Sequence, residues 1–242
     1  QTWALPILVK KGVRHLLLLG RSADQPGSEV EAKLDKLRQQ GAILHIRAVD
    51  VTDYSALEQA IDAFQKSGGD LRGIVHGAGL TRDRMMMRKS AEDCQVVVDP
   101  KVLGAQHLDR LTRDLPLQAF VLFSSITAVR GNLGQCDYGF ANRALDMLAE
   151  HRESLVSQGQ RQGASLSINW PLWAEGGLTV ADDQLQWLID ALGSEVLETE
   201  PGLGAFDVAL QMGQPQLLVS VPRAAKASSG VELKSHAPSV RQ

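Results

Sequence analysis

Four residues of this chain are of types, and at spacings, that could deliver a proton. Residues 123–142 read FSSITAVRGNLGQCDYGFAN: Ser124 and Ser125 close an apolar run, a glycine-punctuated loop follows, and Tyr138 and Asn142 stand four residues apart where a helical pattern begins. That spacing puts the two side chains on one helix face. Lys101, just behind Pro100 at the expected start of the preceding helix, can reach the space between them. A hydroxyl, a phenol and an ammonium converging in one crevice suit a carbonyl that accepts a hydride. Ser125 would hydrogen-bond the carbonyl oxygen, and Tyr138 would pass it a proton as negative charge develops. A neighbouring Lys101 would lower the phenol from its usual pKa of ~10 by favouring the phenolate. Asn142 would hold the network or a water within it. Taken singly, each residue has an ordinary role as a cap, a packed ring or a solvated cation. Their joint spacing is what points to a reaction centre.

The elements that must position these residues follow from periodicity. HLLLLG (15–20), ILHIRAVD (43–50), LRGIVHGAG (71–79), QAFVLFSS (118–125), ASLSINW (164–170) and QPQLLVSVP (214–222) read as strands. Between them, SEVEAKLDKLRQQG (28–41), YSALEQAIDAFQKSGG (54–69), KVLGAQHLDRLTRD (101–114), YGFANRALDMLAEHRESL (138–155), DDQLQWLIDALG (182–193) and PGLGAFDVALQM (201–212) read as helices. Strand and helix alternating in this way predict an α/β fold with a doubly wound, Rossmann-like parallel sheet covered on both faces. In such a sheet the functional crevice lies at the carboxyl ends of the strands, where Ser124 and Ser125 fall. Residues 1–224 are expected to form this domain. Residues 225–242, rich in Ala, Ser, Lys, Gly and Pro without apolar periodicity, are expected to be a flexible linker.

Composition bounds the function. With 242 residues, 44% hydrophobic and 22% charged, the chain can bury a substantial core. A net charge of -3 provides no global field for nucleic acid or an anionic membrane. The longest apolar runs are far too short to span a bilayer, and no charged leader precedes an apolar targeting core, which predicts a cytoplasmic protein. Cys94 and Cys136 form neither a Cys-x-x-Cys pair nor a zinc-like spacing with His, and Met85–Met87 read as packing, so no metal site is expected.

PKVLGAQHL, FSS and YGFAN, with the Lys preceding the Ser rather than following the Tyr, resemble the catalytic subdomain of polyketide synthase ketoreductases, a branch of the short-chain dehydrogenase/reductase superfamily. The resemblance runs over nearly the whole chain to about residue 224. It implies Lys101, Ser125, Tyr138 and Asn142 as catalytic residues and NADPH as cofactor. In HLLLLGRS, Arg21 and Ser22 match the positions that hold the 2′-phosphate, a task suited to a planar guanidinium fork. Asp50 and Val51 match the adenine-binding edge, and in HGAG Ala78 and Gly79 match positions that allow close backbone approach to the ribose. His76 of that loop reads as structural. SINWPLWAEGG (167–177), with Trp170, resembles the segment beneath the nicotinamide that leads into a lid over 178–192. Asp83 matches the more telling Asp of the B-type ketoreductases, and the Trp of the A type is replaced by Arg130, which implies the hydroxyl designated D or R. The implied substrate is a β-ketoacyl thioester on an acyl carrier protein, with other polyketide synthase domains as partners.

The chain also departs from that family. A first strand and a G-G-x-G-x-x-G loop are expected before the first helix, and no G-x-G-x-x-G occurs in the sequence. That loop brings backbone to the pyrophosphate at a helix N-terminus. Its absence predicts a fragment of a longer synthase or an incomplete gene, weak NADPH binding, marginal stability, and a sheet with unpaired edges on both sides of a gap. Pro6 falls where the first helix should be under way. The alternative is a catalytically silent structural remnant within a megasynthase. A free-standing reductase of small alcohols is disfavoured by the placement of Lys101 and by the terminal linker.

Overall fold

The run of leucines in HLLLLG is explained by two covered faces. In the computed structural model, which describes residues 5–175, 189–190, 193–222 and 232–235, these residues form β1 (His15–Gly20), paired in parallel with β2 (Ile43–Ala48). Leu16 and Leu18 pack with helices α1 (Leu5–Lys10) and α2 (Ser28–Gln39), while Leu17 and Leu19 turn to the opposite face and join the core under α3 (Tyr54–Lys66). A strand buried on both sides has no use for polar alternation.

A second sheet has the order β3 (Gly73–His76), β4 (Ala119–Ser125), β5 (Ala164–Trp170), β6 (Gln216–Ser220) and β7 (Glu232–Ser235), parallel except for β7. Phe120 and Leu122 of β4 face α4 (Ala91–Leu111) and α6 (Cys136–Ser157), whose buried stripes include Ala105 and Leu108, and Leu145 and Ala149. Val121 and Phe123 face the other way, toward α7 (Thr199–Ala209) and its Phe206. A short helix, α5 (Thr127–Arg130), separates β4 from the loop before α6.

Among the described residues β1 pairs only with β2, and β3 only with β4, so the sheet is divided where the expectation of two unpaired edges placed the gap. Side-chain packing spans the division instead. On one face α1 sends Ile7 and Leu8 to the α7 cluster and Leu5 and Val9 to the α2 cluster, and Lys11 pairs with Asp207 of α7. On the other, Leu17 and Leu19 of β1 share a core with Ile74 of β3 and Phe120 of β4.

Three expectations are corrected. Pro100 does not precede a helix: α4 begins ten residues earlier, at a capping box in which the Ser90 hydroxyl accepts from the Asp93 amide and the Asp93 carboxylate accepts from the Ser90 amide. Lys101 therefore sits mid-helix. A proline inside a helix costs about 3 kcal/mol, which packing through Val97, Ala105 and Leu108 offsets. Pro6 lies in the first turn of α1, where no amide donor is required. The tail expected to be linker adds strand β7 antiparallel to the open edge of β6; its four-residue pattern is too short to stand out from the Ser- and Pro-rich sequence around it. The expected lid over 178–192 and the helix over 182–193 fall almost wholly outside the described residues.

Candidate active site

The candidate site begins with the two serines that end β4. Successive strand residues point to opposite faces, and so they divide the work. Ser124, 4% exposed, faces α6: its hydroxyl donates to the backbone carbonyl of Asn142 (3.1 Å) and accepts from Asn169 Nδ2 (2.9 Å). Ser125 faces the crevice, its hydroxyl accepting from the Thr127 amide at 3.2 Å. The 131–135 loop then turns on two left-handed glycines, Gly131 (φ 71°) and Gly134 (φ 78°), and starts α6 so that Tyr138 lies in its first turn. Asn142 Nδ2 donates to the Tyr138 carbonyl at 2.7 Å, one turn back, and is itself fully buried.

Lys101 reaches this point from α4. It is 3% exposed, its Nζ donates to the Phe123 carbonyl at 3.0 Å, and it lies 5.4 Å from the centre of the Tyr138 ring. Burial brings its pKa down to about 8, opposed by the negative charge of Asp146. The sequence reading expected Lys101 to lower the phenol. Here burial pushes the Tyr138 phenol up, hydrogen bonds with Asn142 and Ser125 act in the opposite direction, and the Asp83 carboxylate adds to the rise. The ammonium lies against the ring and is committed to a carbonyl.

Two glycines make room for this lysine helix. A Cβ on Gly79 of HGAG would come within 2.7 Å of Lys101 Cε, so in this structure the space above Gly79 belongs to the Lys101 side chain. A Cβ on Gly104 would meet Val51 Cγ2 at 2.8 Å and His76 Cε1 at 3.1 Å. His76, 3% exposed, hydrogen-bonds the Lys101 carbonyl at 3.0 Å through Nε2; burial, and then the Lys101 charge, take its pKa down to about 4. It is a neutral, structural strut for α4.

The residues of the expected adenosine end also meet. Arg21 and Ser22 are exposed at the carboxyl end of β1. Asp50 follows β2, where its carboxylate accepts from the Thr52 amide (2.9 Å) and hydroxyl (2.7 Å), and these bonds, with the Arg21 charge nearby, hold it below the usual range. The cap of α3 is Asp53, whose side chain accepts from the Ala56 amide. Val51 accepts a contact from His107 Nδ1 through its carbonyl (3.2 Å) and packs over Gly104, and Ala78 is half-buried beside Gly79. Trp170 ends β5 opposite Ser125, but its ring is 4% exposed and stacks edge-on with Phe123 and Trp173 in the core. Asp83 is exposed and accepts from Gln135 Nε2 at 2.8 Å.

Beneath the serines lies a buried polar network that sequence reasoning missed. Asp146, 0% exposed, accepts from Ser167 Oγ (2.7 Å), from Asn169 Nδ2 (3.0 Å) and from Gln216 Nε2 (3.0 Å), with Arg143 at 3.7 Å. Asn169 also donates to the Ser125 carbonyl (3.2 Å) as well as to Ser124. The network thus fixes both serines and the Asn142 carbonyl from below. Its signal was present as polar residues at core positions: Asp146 falls one turn after Asn142 on the buried face of α6, and Ser165, Ser167 and Asn169 alternate with the apolar residues of β5.

With this geometry in place, comparisons with known proteins gain meaning. A family model described as "KR domain" matches residues 2–175. The chain is 40% identical over 205 residues to polyketide synthase PksN of Bacillus subtilis (strain 168), covering 84% of this chain and 4% of that protein. A solved ketoreductase domain from the bacillaene assembly line superposes with a TM-score of 0.84 at 36% identity, covering 90% of this chain and 52% of that one. An alcohol dehydrogenase from Thermococcus sibiricus, solved with 5-hydroxy-NADP, matches with a TM-score of 0.70 at 16% identity over 93% of each chain, a likeness of fold alone. The chain spans about 4% of the length of the first curated relatives it matches.

Proposed function

Because this chain belongs to the KR domain family, the ketoreductase domains of polyketide synthases within the short-chain dehydrogenase/reductase superfamily, we propose that it carries out NADPH-dependent reduction of a β-ketoacyl group, presented on an acyl carrier protein, to the β-hydroxyacyl product. The observation that carries this reading is the buried Lys101 ammonium 5.4 Å from the Tyr138 ring, with Ser125 at the end of β4 and Asn142 bonded to the Tyr138 backbone carbonyl.

In this mechanism the substrate carbonyl oxygen lies between the Ser125 and Tyr138 hydroxyls. NADPH, when bound, would supply the hydride. As charge grows on the oxygen, Ser125 donates a hydrogen bond and Tyr138 gives up its proton. A phenol whose pKa burial has raised stays protonated until an alkoxide forms, which suits a proton donor. The nearby Lys101 charge then stabilises the phenolate left behind. Asn142 fixes the Tyr138 backbone, and Asp146 with Asn169 holds the serines. An exposed cation and hydroxyl at Arg21 and Ser22, beside the Asp50 carboxylate, suit a phosphate next to a ribose, so Arg21 and Ser22 would hold the 2′-phosphate and Asp50 and Val51 would line the adenine. Asp83, whose charge reaches the phenol, marks the B-type side of the crevice, and the product is the D or R hydroxyl.

The test is turnover of a β-ketoacyl thioester surrogate, followed by NADPH consumption and chiral analysis of the product. It compares this chain with the same chain joined to a relative's glycine-rich strand segment. Tyr138→Phe is expected to reduce kcat by roughly 10²–10⁴-fold, the range of a lost general acid, with little change in Tm. No turnover in either form would favour the silent structural remnant, and the opposite hydroxyl would overturn the B-type assignment.

A further inference from the structure

One ion pair beside the reaction centre has no role in the chemistry above, yet it is among the most buried in the molecule. Lys89 Nζ lies 2.7 Å from Asp137 Oδ2, with side chains 2% and 1% exposed. The same ammonium donates to the Arg82 carbonyl, and the other carboxylate oxygen of Asp137 accepts from the Tyr138 amide at 2.9 Å. A single charge pair therefore connects the segment that carries Asp83 to the backbone of the residue that gives up the proton.

The surroundings show what the pair is for. Residues 82–88 are all exposed, and their large apolar side chains point outward: Met85 is 46%, Met86 76% and Met87 91% exposed. Among the described residues, such a segment has no buried apolar side chain to anchor it. What goes inward is Lys89. Of the segment's other ties, the Arg84 guanidinium pairs with Asp93 in the first turn of α4 (3.2 Å), while the rest run to the stretch before α6: Arg84 N donates to the Gly134 carbonyl (3.0 Å), and Gln135 Nε2 donates to Asp83 (2.8 Å) while its side-chain carbonyl accepts from Asn132 (2.9 Å). Desolvating a lysine and an aspartate is costly, and an apolar pair of similar volume is often as stable or more so. A buried ion pair here contributes direction and distance rather than stability.

Resting on the ketoreductase reading, we propose that Lys89 is a positioning residue for the reduction: through Asp137 it locks the 82–89 segment against the first turn of α6, and so fixes Asp83 relative to the Tyr138 hydroxyl and the face on which the ketone is reduced. Lys89→Met keeps the volume and removes the charge; Asp137→Asn removes the partner and serves as a second variant should the first fold poorly. In hydrogen exchange the Arg84 and Tyr138 amides are expected to lose about tenfold or more of their protection in either variant, while amides of β4 keep theirs. Where the parent turns over, kcat/KM is expected to fall roughly tenfold with a rise in the minor enantiomer, and the double variant to be no worse than the poorer single one, the mark of two residues acting as one unit. Unchanged protection at Arg84 and Tyr138 would overturn the proposal, and so would an unchanged enantiomer ratio in an active variant. The exchange measurement needs no turnover, so it decides the anchoring role even if the ketoreductase reading fails.

Discussion

At the scale of single residues, burial governs the acid–base behaviour. Lys101 and Tyr138 are both pushed toward their neutral forms, Lys101 down to about 8 and the phenol upward. As pH rises, the lysine is the first of the two to lose its proton. The rate of reduction is therefore expected to decline through about pH 8, with log kcat falling one unit per pH unit beyond it; a pH–rate profile under saturating substrate checks this. His76 gives a stability prediction. Its pKa falls from 6.5 to about 4 on folding, so between those values the unfolded chain binds more protons and stability is lost as pH drops. Full protonation would cost about 3 kcal/mol, at 1.36 kcal/mol per unit. Denaturant melts of the parent and His76→Gln are expected to diverge below pH 6.5 at the parent's expense, with the difference saturating below pH 4.

At the scale of elements, α4 is the part on which the site depends. It delivers Lys101 from a mid-helix position, and glycines where it passes the HGAG loop and the β2–α3 turn let it come close. Gly79 has no left-handed backbone requirement, and the atom a Cβ would strike there belongs to a flexible side chain. Gly79→Ala is therefore expected to leave Tm within roughly 2 °C of the parent, since a side-chain shift costs little beside a backbone one. It should nevertheless reduce kcat at least tenfold by displacing Lys101 from the Phe123 carbonyl, an effect on the order of that seen for misplaced catalytic groups. Thermal melts and steady-state kinetics on one preparation separate the two effects. Gly104 differs: its Cβ would press on Val51 Cγ2 at 2.8 Å and on the buried His76 ring at 3.1 Å, neither of them the far end of a long flexible side chain.

At the scale of the whole molecule, the division between β1–β2 and β3–β7 sets the order of opening. The larger sheet has a central strand buried along its length, with partners on both sides and helices on both faces. The smaller is a two-stranded unit held to the rest by side-chain packing through α1, α3 and Leu17 and Leu19. Parallel pairs lean on such cover for stability. Native-state hydrogen exchange is expected to show Leu44 and Ile46 opening at lower denaturant than Val121 and Phe123, with protection lower by about tenfold or more. Because Arg21, Ser22 and Asp50 lie on the smaller unit and Lys101, Ser125 and Tyr138 on the larger, that opening would separate the two ends of the proposed cofactor site.

Local chemistry made much of this molecule legible from the sequence alone. The strands and helices follow from apolar runs and periodicity, the crevice from serines at a strand's carboxyl end, and the pairing of Tyr138 with Asn142 from their four-residue spacing, because each of these depends on residues within a turn or two of one another. What only the tertiary structure decided depends on partners distant in the chain. Lys101 reads as a helix-start cation until α4 is seen to run on through Pro100 and carry it under Tyr138, where desolvation opposes the expected fall in the phenol's pKa. Asp146 and Asn169 become a platform only when α6 lies across β5, and Lys89 finds Asp137 across 48 residues of chain. The ring of Trp170, matched to the nicotinamide segment by likeness, turns into the core because strand alternation points it there. Burial and long-range pairing set these outcomes, and neither is written in the spacing of nearby residues.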